Sequence, residues 1–325
     1  MAPILEVRNL HMHFSSREGV VKALNGVNLK LEQGEILGLL GESGAGKSMT
    51  ALSIMRLLPY PGKVVQGEVF DKGKHLLKAT EREMQDLRGK EIAIAFQNPT
   101  AALNPRLSIG TQLREVFRSH TSMSKKEAEE ASMAMLRDVG LPDPERIMNL
   151  YTFQMSGGMA QRAMLAIAMC LKPTVILADE LTSSLDVTLQ AEMLKRLRTL
   201  RDTLGTSIVL ITHDLGVLAS MADRISVIYA GQVVEEAPVR EFYRKPLHPY
   251  SYGMFQARPR LDRDGRLVPI PGMAPDMRSL PEQCPFLPRC FKAITQCRIE
   301  PAPEFKEHEP GHHTMCYNPV QVPVD

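Results

Sequence analysis

Eight consecutive residues have the types and spacing of a phosphate-binding loop. Residues 41–48 read GESGAGKS and fit the pattern G-x-x-x-x-G-K-S/T in full, between an apolar run and a helical pattern. The glycines let the backbone turn its N–H groups toward phosphate oxygens, and the N-terminus of the following helix adds positive partial charge. The residues expected to contact a nucleotide here are Gly41, Glu42, Ser43, Gly44, Ala45, Gly46, Lys47, Ser48 and Met49.

A pair of carboxylates could supply the metal ligand and the general base that a phosphate-binding loop lacks. The apolar run VILA ends in Asp179 and Glu180. Asp179 is expected to hold Mg²⁺ together with the Ser48 hydroxyl, while Lys47 reaches the β- and γ-phosphates. Glu180, one residue farther on, is placed to polarise a water for attack on the γ-phosphate. An ordinary solvated strand end is the alternative, and the phosphate loop argues against it.

Short apolar runs and helical stripes are the elements that must position these groups. Four continuous apolar runs, typical of strands buried on both faces of a parallel sheet, are Ile36–Leu40, Ile92–Phe96, Val175–Ala178 and Ile208–Ile211. Near the N-terminus, Val27, Leu29 and Leu31 alternate with polar residues as in a half-buried strand. Strands alternating with helical patterns predict an α/β fold with a mostly parallel sheet and an antiparallel β subdomain. Five apolar residues at spacings of three and four predict one helix: Leu189, Met193, Leu197, Leu200 and Leu204.

Two segments depart from this alternation. Residues 98–168 read as a helical insert, in which Ser124 and Glu127 predict a capping box and Gly140 ends the helix after Val139. From about residue 245 the chain is rich in proline and weakly periodic. We predict an ATPase domain over residues 1–250 and an irregular C-terminal tail over residues 251–325, too poor in apolar residues to fold unaided.

Composition narrows the class of protein. The chain has 325 residues and a formal charge of +2, so it gives no sign of nucleic-acid binding. The N-terminal residues show no signal peptide, and the apolar runs are too short to cross a bilayer. We therefore expect a cytosolic protein whose membrane role, if any, comes through a partner.

One further motif resembles the signature of the ATP-binding-cassette (ABC) proteins. Ser156, Gly157 and Gly158 precede Met159 and an apolar helical run, so the motif reads MSGGM where the family usually has LSGGQ. A serine hydroxyl, glycine amides and a helix N-terminus are again aimed at an anion. In the family this segment contacts the γ-phosphate held by the other subunit. A Ser-Gly-Gly loop that merely starts a helix is the alternative.

The other family elements follow in the family's order. By resemblance, Gln97 is the Q-loop glutamine and shares the Mg²⁺ site with Ser48 and Asp179, Asp186 closes the D-loop TSSLD, and His213 is the switch histidine. The resemblance thus assigns catalysis to Gln97, Glu180 and His213. Phe14 resembles the aromatic that stacks on adenine, with a half-buried core phenylalanine as the alternative.

The resemblance narrows to the D-type ATPases of oligopeptide and dipeptide importers. It rests on FQNPTAALNP after the Q-loop, on residues 245–250, and on the tail from Ile270 to Cys316. Two residues depart from the family pattern: Leu181 replaces the proline after Glu180, and Met155 replaces the leucine of the signature. The first substitution is expected to affect the backbone beside Glu180.

Four of the five cysteines lie in the tail. Five, six and 18 residues separate Cys284, Cys290, Cys297 and Cys316, unlike the close pairs of structural zinc sites. In reducing cytosol such a cluster favours a metal site, and four thiolates suit a 4Fe-4S cluster or zinc. The nearby histidines 308, 312 and 313 keep a mixed zinc site open, and free thiols are a third alternative. The family resemblance implies the 4Fe-4S cluster, stapling the tail.

The resemblance also implies the partners. They are a second, related ABC ATPase in a heterodimer, two transmembrane permeases and an extracytoplasmic substrate-binding protein, with this chain at the cytoplasmic face of the membrane. The expected activity is ATP hydrolysis that drives peptide import. Alternatives are import of oligosaccharides, nickel or another small solute, and a soluble ABC ATPase of DNA repair or translation.

Overall fold

The structure is a computed structural model, and it describes residues 2–17, 19–181, 186–257 and 268–321. The strands, in chain order, are β1 (Leu5–Ser16), β2 (Gly19–Leu31), β3 (Ile36–Leu40), β4 (Gly62–Asp71), β5 (Lys74–His75), β6 (Ile92–Ala95), β7 (Val175–Asp179), β8 (Ser207–Thr212), β9 (Arg224–Tyr229), β10 (Gln232–Pro238), β11 (Lys306–Glu309) and β12 (His312–Thr314). All four strands predicted from continuous apolar runs are confirmed, as β3, β6, β7 and β8.

The described residues form twelve α-helices, of which the first begins within the phosphate loop, at Lys47. They are α1 (Lys47–Met55), α2 (Glu81–Leu87), α3 (Pro99–Ala102), α4 (Ile109–His120), α5 (Lys125–Asp138), α6 (Pro144–Met148), α7 (Gly157–Met169), α8 (Val187–Leu204), α9 (Leu215–Met221), α10 (Val239–Arg244), α11 (Pro249–Gln256) and α12 (Thr295–Ile299). Among the described residues, no helix has the length and apolar character that a membrane span requires.

The chain divides into two compact units, each built from segments far apart in sequence. Unit 1 comprises residues 1–5, 31–36 and 70–212, and unit 2 comprises residues 6–30, 37–69 and 213–325. The predicted division into domains 1–250 and 251–325 stays a prediction.

Unit 1 combines a parallel sheet with the helical insert. In the sheet, β7 pairs in parallel with β6 on one side and with β8 on the other. Every residue of β7 and β8 is buried, as their unbroken apolar runs predict. Helices α3 to α7 pack on one another, and α7 also packs on β6, so residues 98–168 are mostly helical, as their sequence predicts. Its capping box is present: Ser124 accepts from the Glu127 N–H, and Glu127 accepts from the Ser124 N–H.

The predicted apolar stripe of α8 is only partly buried. Met193, Leu197 and Leu200 are buried, but Leu189 is half-buried and Leu204 is 45% exposed at the last helical position. Leu194 is buried instead. The buried part of the stripe therefore extends only from Met193 to Leu200, and both ends of the predicted stripe are more exposed.

Unit 2 contains a mixed sheet and a second sheet. In the mixed sheet β3 lies parallel to β9, and β9 is followed by β10, β12 and β11, each antiparallel to the strand before it. The second sheet has the order β2-β1-β4. In β2, Val27, Leu29 and Leu31 are buried while Asn28 and Lys30 are exposed, which confirms the predicted alternation.

The C-terminal tail is less irregular than the sequence predicts. Its strand β12 continues the mixed sheet beside β10, and β11 follows β12. His312 of β12 is buried and donates from Nε2 to the buried carboxylate of Glu235 at 2.7 Å, and Glu235 also accepts from the backbone N–H groups of Leu247 and His248. Most of the described tail is nevertheless irregular, as predicted, and β12 pairs with an existing strand edge rather than with a core of its own.

Candidate functional site

The phosphate loop leads from β3 into α1 in unit 2. Lys47, the first helical residue, is only 5% exposed, and its ammonium donates to the carbonyls of Gly41 at 2.8 Å and Glu42 at 3.0 Å. Gly46 caps the helix without a side-chain hydrogen bond, and the first turn contains no acidic residue. The helix N-terminus therefore presents backbone N–H groups and positive partial charge without a competing carboxylate in that turn.

Glycine is required at particular loop positions for two different reasons. Gly44 and Gly46 have φ angles of 79° and 110°, in the region that other residues rarely adopt. At Gly41 the reason is space, because an added Cβ would lie 2.4 Å from the carbonyl oxygen of Ile228. The motif's first glycine is thus fixed by a close approach to β9.

The turn between β9 and β10 supports the other side of the loop. The N–H of Gly231 donates to the Ala45 carbonyl at 2.9 Å, and the Asn25 N–H donates to the Gly231 carbonyl at 2.8 Å. An added Cβ at Gly231 would lie 2.7 Å from the Ala23 carbonyl oxygen. The phosphate loop is therefore held by backbone contacts from two neighbouring segments of its own unit.

The predicted carboxylates lie at the end of β7 in unit 1. Asp179 is buried as the last strand residue, and the Glu180 N–H donates to the Ile211 carbonyl at 2.9 Å. The Gln97 amide donates from Nε2 to Glu180 Oε2 at 2.8 Å. The structure thus brings together two residues that lie 83 positions apart and that the family resemblance assigns to catalysis.

Glu180 has a left-handed backbone. Its φ is 45°, one of few such values for residues other than glycine among the described residues, and this conformation costs of order 1–3 kcal/mol. A proline at position 181 would restrict the preceding residue to extended conformations. Leu181, buried and without that restriction, is compatible with the left-handed Glu180. The departure from the family pattern therefore coincides with an unusual backbone at the catalytic candidate.

The signature residues form the N-terminus of α7 in unit 1. Ser156 is the N-cap and accepts from the Met159 N–H at 3.3 Å. Ser156 and Gly157 are exposed, and an added Cβ at Gly157 would meet no atom within 4 Å. Gly158 and Met159 are half-buried and, with Ser156, line an open pocket. This helix N-terminus therefore faces open space in its own unit.

Three other predicted residues are placed as follows. His213 is exposed and follows β8 directly, while Asp186 caps α8 by accepting from the Leu189 N–H at 3.0 Å. The rest of the predicted D-loop, residues 182–185, lies outside the described residues. Phe14 is half-buried in β1, and its ring lies 2.8 Å from where a Cβ on Gly62 would be. That burial is compatible with both interpretations of Phe14.

The four tail cysteines meet in unit 2. Cys284, Cys290, Cys297 and Cys316 line one small cavity of about 20 Å³, together with apolar neighbours. Burial raises the pKa of the Cys284 thiol to about 11 and that of Cys316 to about 12, and it also raises the pKa of Cys290. In the described part of the chain, however, no group of three or more His, Cys, Asp or Glu side chains is arranged to hold a metal ion. The predicted metal staple is therefore not supported as a formed site.

Two contacts to the phosphate loop were not predicted from the sequence. The Arg289 guanidinium binds the Glu42 carboxylate through two nitrogens, at 2.8 and 3.0 Å. The Glu42 N–H donates to the Tyr250 hydroxyl at 2.7 Å. These residues lie more than 200 positions after the loop, and no local pattern points to them.

Comparison with family models finds two regions of similarity. Residues 24–183 match the model described as ABC transporter, and residues 234–297 match the model described as oligopeptide/dipeptide transporter, C-terminal region. The chain is also 45% identical to a probable peptide ABC transporter ATP-binding protein of Sinorhizobium fredii, covering 98% of this chain and 96% of the relative. The chain belongs to the ABC transporter ATPases.

Other members of the ABC transporter ATPases are similar over nearly their whole length. The chain is 42% identical to the oligopeptide transport ATP-binding protein OppD of Salmonella typhimurium, over 98% of this chain and 94% of the relative. It is 42% identical to the dipeptide transport ATP-binding protein DppD of Bacillus subtilis, over 98% and 95%. This ABC ATPase therefore matches its relatives both in the cassette and in the tail.

Solved structures support the fold of this ABC ATPase. A dimeric ATP-binding cassette in a post-hydrolysis state, bound to ADP and Pi, superimposes with a TM-score of 0.66 at 28% identity. The match covers 73% of this chain and 99% of that structure. Since that cassette binds a nucleotide, the likeness agrees with the phosphate loop described above.

Proposed function

We propose that this ABC ATPase binds and hydrolyses ATP to drive the import of peptides through partner permeases. The observation that carries the proposal is the phosphate loop, in which Lys47 lies buried at the N-terminus of α1 within a braced turn. A lysine and a row of backbone N–H groups at this position suit the β- and γ-phosphates of a nucleoside triphosphate.

The remaining roles follow from the family pattern. Mg²⁺ would be held by Ser48, Asp179 and Gln97 and would neutralise charge on the phosphates. Glu180 would take a proton from the attacking water, positioned by the amide of Gln97. His213 would contact the γ-phosphate side of the site, and Phe14 would stack on adenine. These assignments rest on residue type and on each residue's place at a strand end.

The signature residues are proposed to act on a nucleotide held by another cassette. Ser156, Gly157, Gly158 and Met159 present a helix N-terminus that is open in this chain's own unit. An exposed N-terminus with a serine hydroxyl suits an anion brought by a partner. Asp186 would belong to the same shared interface.

The assembly would contain five kinds of chain. We propose that this ATPase pairs with a related ATPase and that the pair binds two permeases at the cytoplasmic face of the membrane. A binding protein on the other side would deliver the cargo. Residues 1–250 would form the ATPase domain, and residues 251–325 a tail specific to this transporter type. One family match, over residues 24–183, lies within the proposed ATPase domain, and the other, over residues 234–297, reaches from the end of that domain into the tail.

Peptides are the proposed cargo because relatives over nearly the full chain are named for oligopeptide and dipeptide transport. Oligosaccharides, nickel or another solute remain the competing cargoes. The test is to purify the intact complex, identify the molecule carried by its binding protein, and measure ATPase activity with that protein loaded or empty. Peptides in the binding protein and stimulation by the loaded form are expected. A sugar or a metal ion there would contradict the peptide assignment, and a chain that never copurifies with permeases would favour a soluble ABC ATPase.

The cysteine-lined cavity is proposed to hold a metal centre, with a 4Fe-4S cluster first and zinc as the alternative. All four thiols border one cavity, and four thiolates are the ligand set of a cubane cluster. Loading would require the thiols to lose protons and the lining to widen, because burial raises the pKa of Cys284, Cys290 and Cys316 and the cavity is small. When bound, the centre would close the loops between the cysteines and order the tail.

Anaerobic purification tests the metal proposal. Brown protein with about four iron and four labile sulfide per chain is expected for a cubane cluster. Cys290→Ser should bleach the colour, while Cys170→Ser, at the buried cysteine that follows the last residue of α7 in unit 1, should not. Colourless protein with one zinc per chain would contradict the 4Fe-4S cluster and support the zinc alternative. Protein free of metal with an ordered tail would contradict both metal centres.

A further inference from the structure

The phosphate loop carries a carboxylate of its own, at Glu42. An ATP molecule brings several negative charges to this loop, so an uncompensated carboxylate beside them would oppose binding. The Glu42 side chain is 32% exposed. The Glu42 carboxylate therefore needs a cationic partner that neutralises its charge and also fixes the orientation of its side chain.

Arg289 from the C-terminal tail supplies that partner. Two guanidinium nitrogens bind the two carboxylate oxygens of Glu42, at 2.8 and 3.0 Å. The Arg289 side chain is 6% exposed, so solvent screens this pair less than a surface ion pair. A bidentate pair fixes orientation as well as charge, which a lysine ammonium cannot reproduce.

The tail holds Arg289 firmly in place. Its Nε donates to the Pro271 carbonyl at 2.9 Å, and the guanidinium carbon lies 5.8 Å from the ring centroids of Tyr229 and Phe286. Phe286, which is buried, packs against Tyr229 and Tyr250 with centroids 5.2 and 5.4 Å apart. An aromatic cluster formed by β9, α11 and the tail thus orients the arginine.

Tyr250 of α11 makes a second contact with the same loop residue. Its hydroxyl accepts from the Glu42 N–H at 2.7 Å, and burial raises the pKa of this tyrosine, so the hydroxyl stays neutral. The Glu42 carbonyl in turn accepts from the Lys47 ammonium at 3.0 Å. Residue 42 is therefore fixed at its N–H, its carbonyl and its side chain, and the contact at the carbonyl reaches the lysine that would bind phosphate.

We propose that Arg289 and Tyr250 are positioning residues of the nucleotide site, through which the C-terminal tail and helix α11 hold the phosphate loop in its ATP-binding conformation. Arg289 neutralises Glu42 and directs it away from the phosphates, and Tyr250 fixes the peptide plane between Gly41 and Glu42. The inference rests on the proposed ATP binding by the loop. It makes the tail part of the ATP site rather than an appendage to the cassette.

The test measures ATP affinity in the purified full chain for Arg289→Ala, alone and combined with Glu42→Gln. Arg289→Ala should weaken ATP binding by about tenfold or more, because it leaves a carboxylate uncompensated beside the phosphates. Glu42→Gln in the same chain should restore much of that loss, since it removes the charge that Arg289 neutralises. Arg289→Lys should fall between wild type and alanine.

Two controls separate this role from general stability. Arg278→Ala removes an exposed tail arginine paired with Asp276, and it should leave ATP affinity unchanged. Thermal unfolding of each variant is recorded alongside, because a purely structural role for Arg289 would lower the melting temperature without rescue of affinity by Glu42→Gln. Wild-type affinity in Arg289→Ala, or a loss that Glu42→Gln does not relieve, would overturn the proposal.

If Arg289→Ala does not fold, Tyr250→Phe provides a second test of the proposal. It keeps the ring in the aromatic cluster but leaves the Glu42 N–H without its acceptor, so ATP affinity should fall several-fold with little change in melting temperature. Unchanged affinity in Tyr250→Phe and in Arg289→Lys would overturn the proposal. Lys47→Ala in the same titration distinguishes the two levels of the argument, because wild type that binds ATP no better than Lys47→Ala would contradict the proposed function itself.

Discussion

The phosphate loop of unit 2 and the signature segment of unit 1 are both helix N-termini suited to an anion, yet their surroundings differ. Lys47 is 5% exposed, and an added Cβ at Gly41 would lie 2.4 Å from a backbone oxygen. At the signature, Ser156 is exposed, and an added Cβ at Gly157 would meet nothing within 4 Å. The first is enclosed by its own unit and the second is open.

This difference separates two ways of building an anion site. The loop is held by β9, by the turn before β10 and by the tail, so its conformation is decided within this chain. The signature has its own N-cap hydrogen bond and presents the rest of its surface outward. We infer that the loop determines how well this chain binds ATP, whereas the signature matters only when another molecule covers it.

Lys47→Ala should have the largest effect, because it removes the buried charge of the enclosed site. We expect turnover in the assembled transporter to fall by about 10²-fold or more and ATP binding to weaken. ATPase assays and nucleotide titration measure the two effects. Lys195→Ala, at an exposed position on α8, is the matched control and should behave as wild type. Near-normal turnover in Lys47→Ala would remove the loop from the active site.

Glu180→Gln should divide binding from chemistry. The side chain keeps its size and can still bond to the Gln97 amide, but it can no longer accept a proton. Turnover should fall by about 10²-fold while ATP remains bound, as measured by single-turnover hydrolysis and nucleotide retention. Glu129→Gln on the exposed face of α5 is the control. Loss of ATP binding together with turnover would make Glu180 a structural residue of unit 1.

A pair of glycine substitutions compares the two helix N-termini directly. Gly41→Ala should destabilise the chain by about 2–4 kcal/mol and weaken ATP binding, because the new methyl group collides with the Ile228 carbonyl. Gly157→Ala should change stability by no more than about 0.5 kcal/mol, since its methyl group enters open space. Chemical denaturation of the full chain measures both. Equal losses in the two variants would contradict the distinction between an enclosed and an open site.

Ser156→Arg should have the smallest effect on the isolated chain. Its ATP affinity is expected to match wild type, because the signature is proposed to act on a nucleotide held by another cassette. In the assembled transporter the same substitution should block turnover, since it places bulk and charge where a partner's γ-phosphate would lie. Ser122→Arg, exposed in the same helical insert, serves as the comparison. Full transporter activity in Ser156→Arg would argue against a shared site.

Much of the fold could be predicted because its signals are local. Four strands could be predicted because each is an unbroken apolar run in the sequence. The capping box of α5 could be predicted because it involves only Ser124 and Glu127, three positions apart. The tail was predicted less well. Its strand β12 gains stability from the edge of β10, and the pairing of His312 with Glu235 joins residues 77 positions apart. The periodicity of a segment does not show which distant strand or side chain it will pair with.

By itself, the sequence determined the family of this ABC ATPase and predicted its site residues. The order of phosphate loop, signature, carboxylates and switch histidine can be read from residue types at short spacing, because each motif is a strand end or a helix start with a local pattern. Only the tertiary structure decided which residues support that chemistry. Arg289 and Tyr250 meet Glu42 across 247 and 208 positions, and Glu180 takes a φ of 45°. These features depend on how distant segments pack, which no short stretch of sequence encodes.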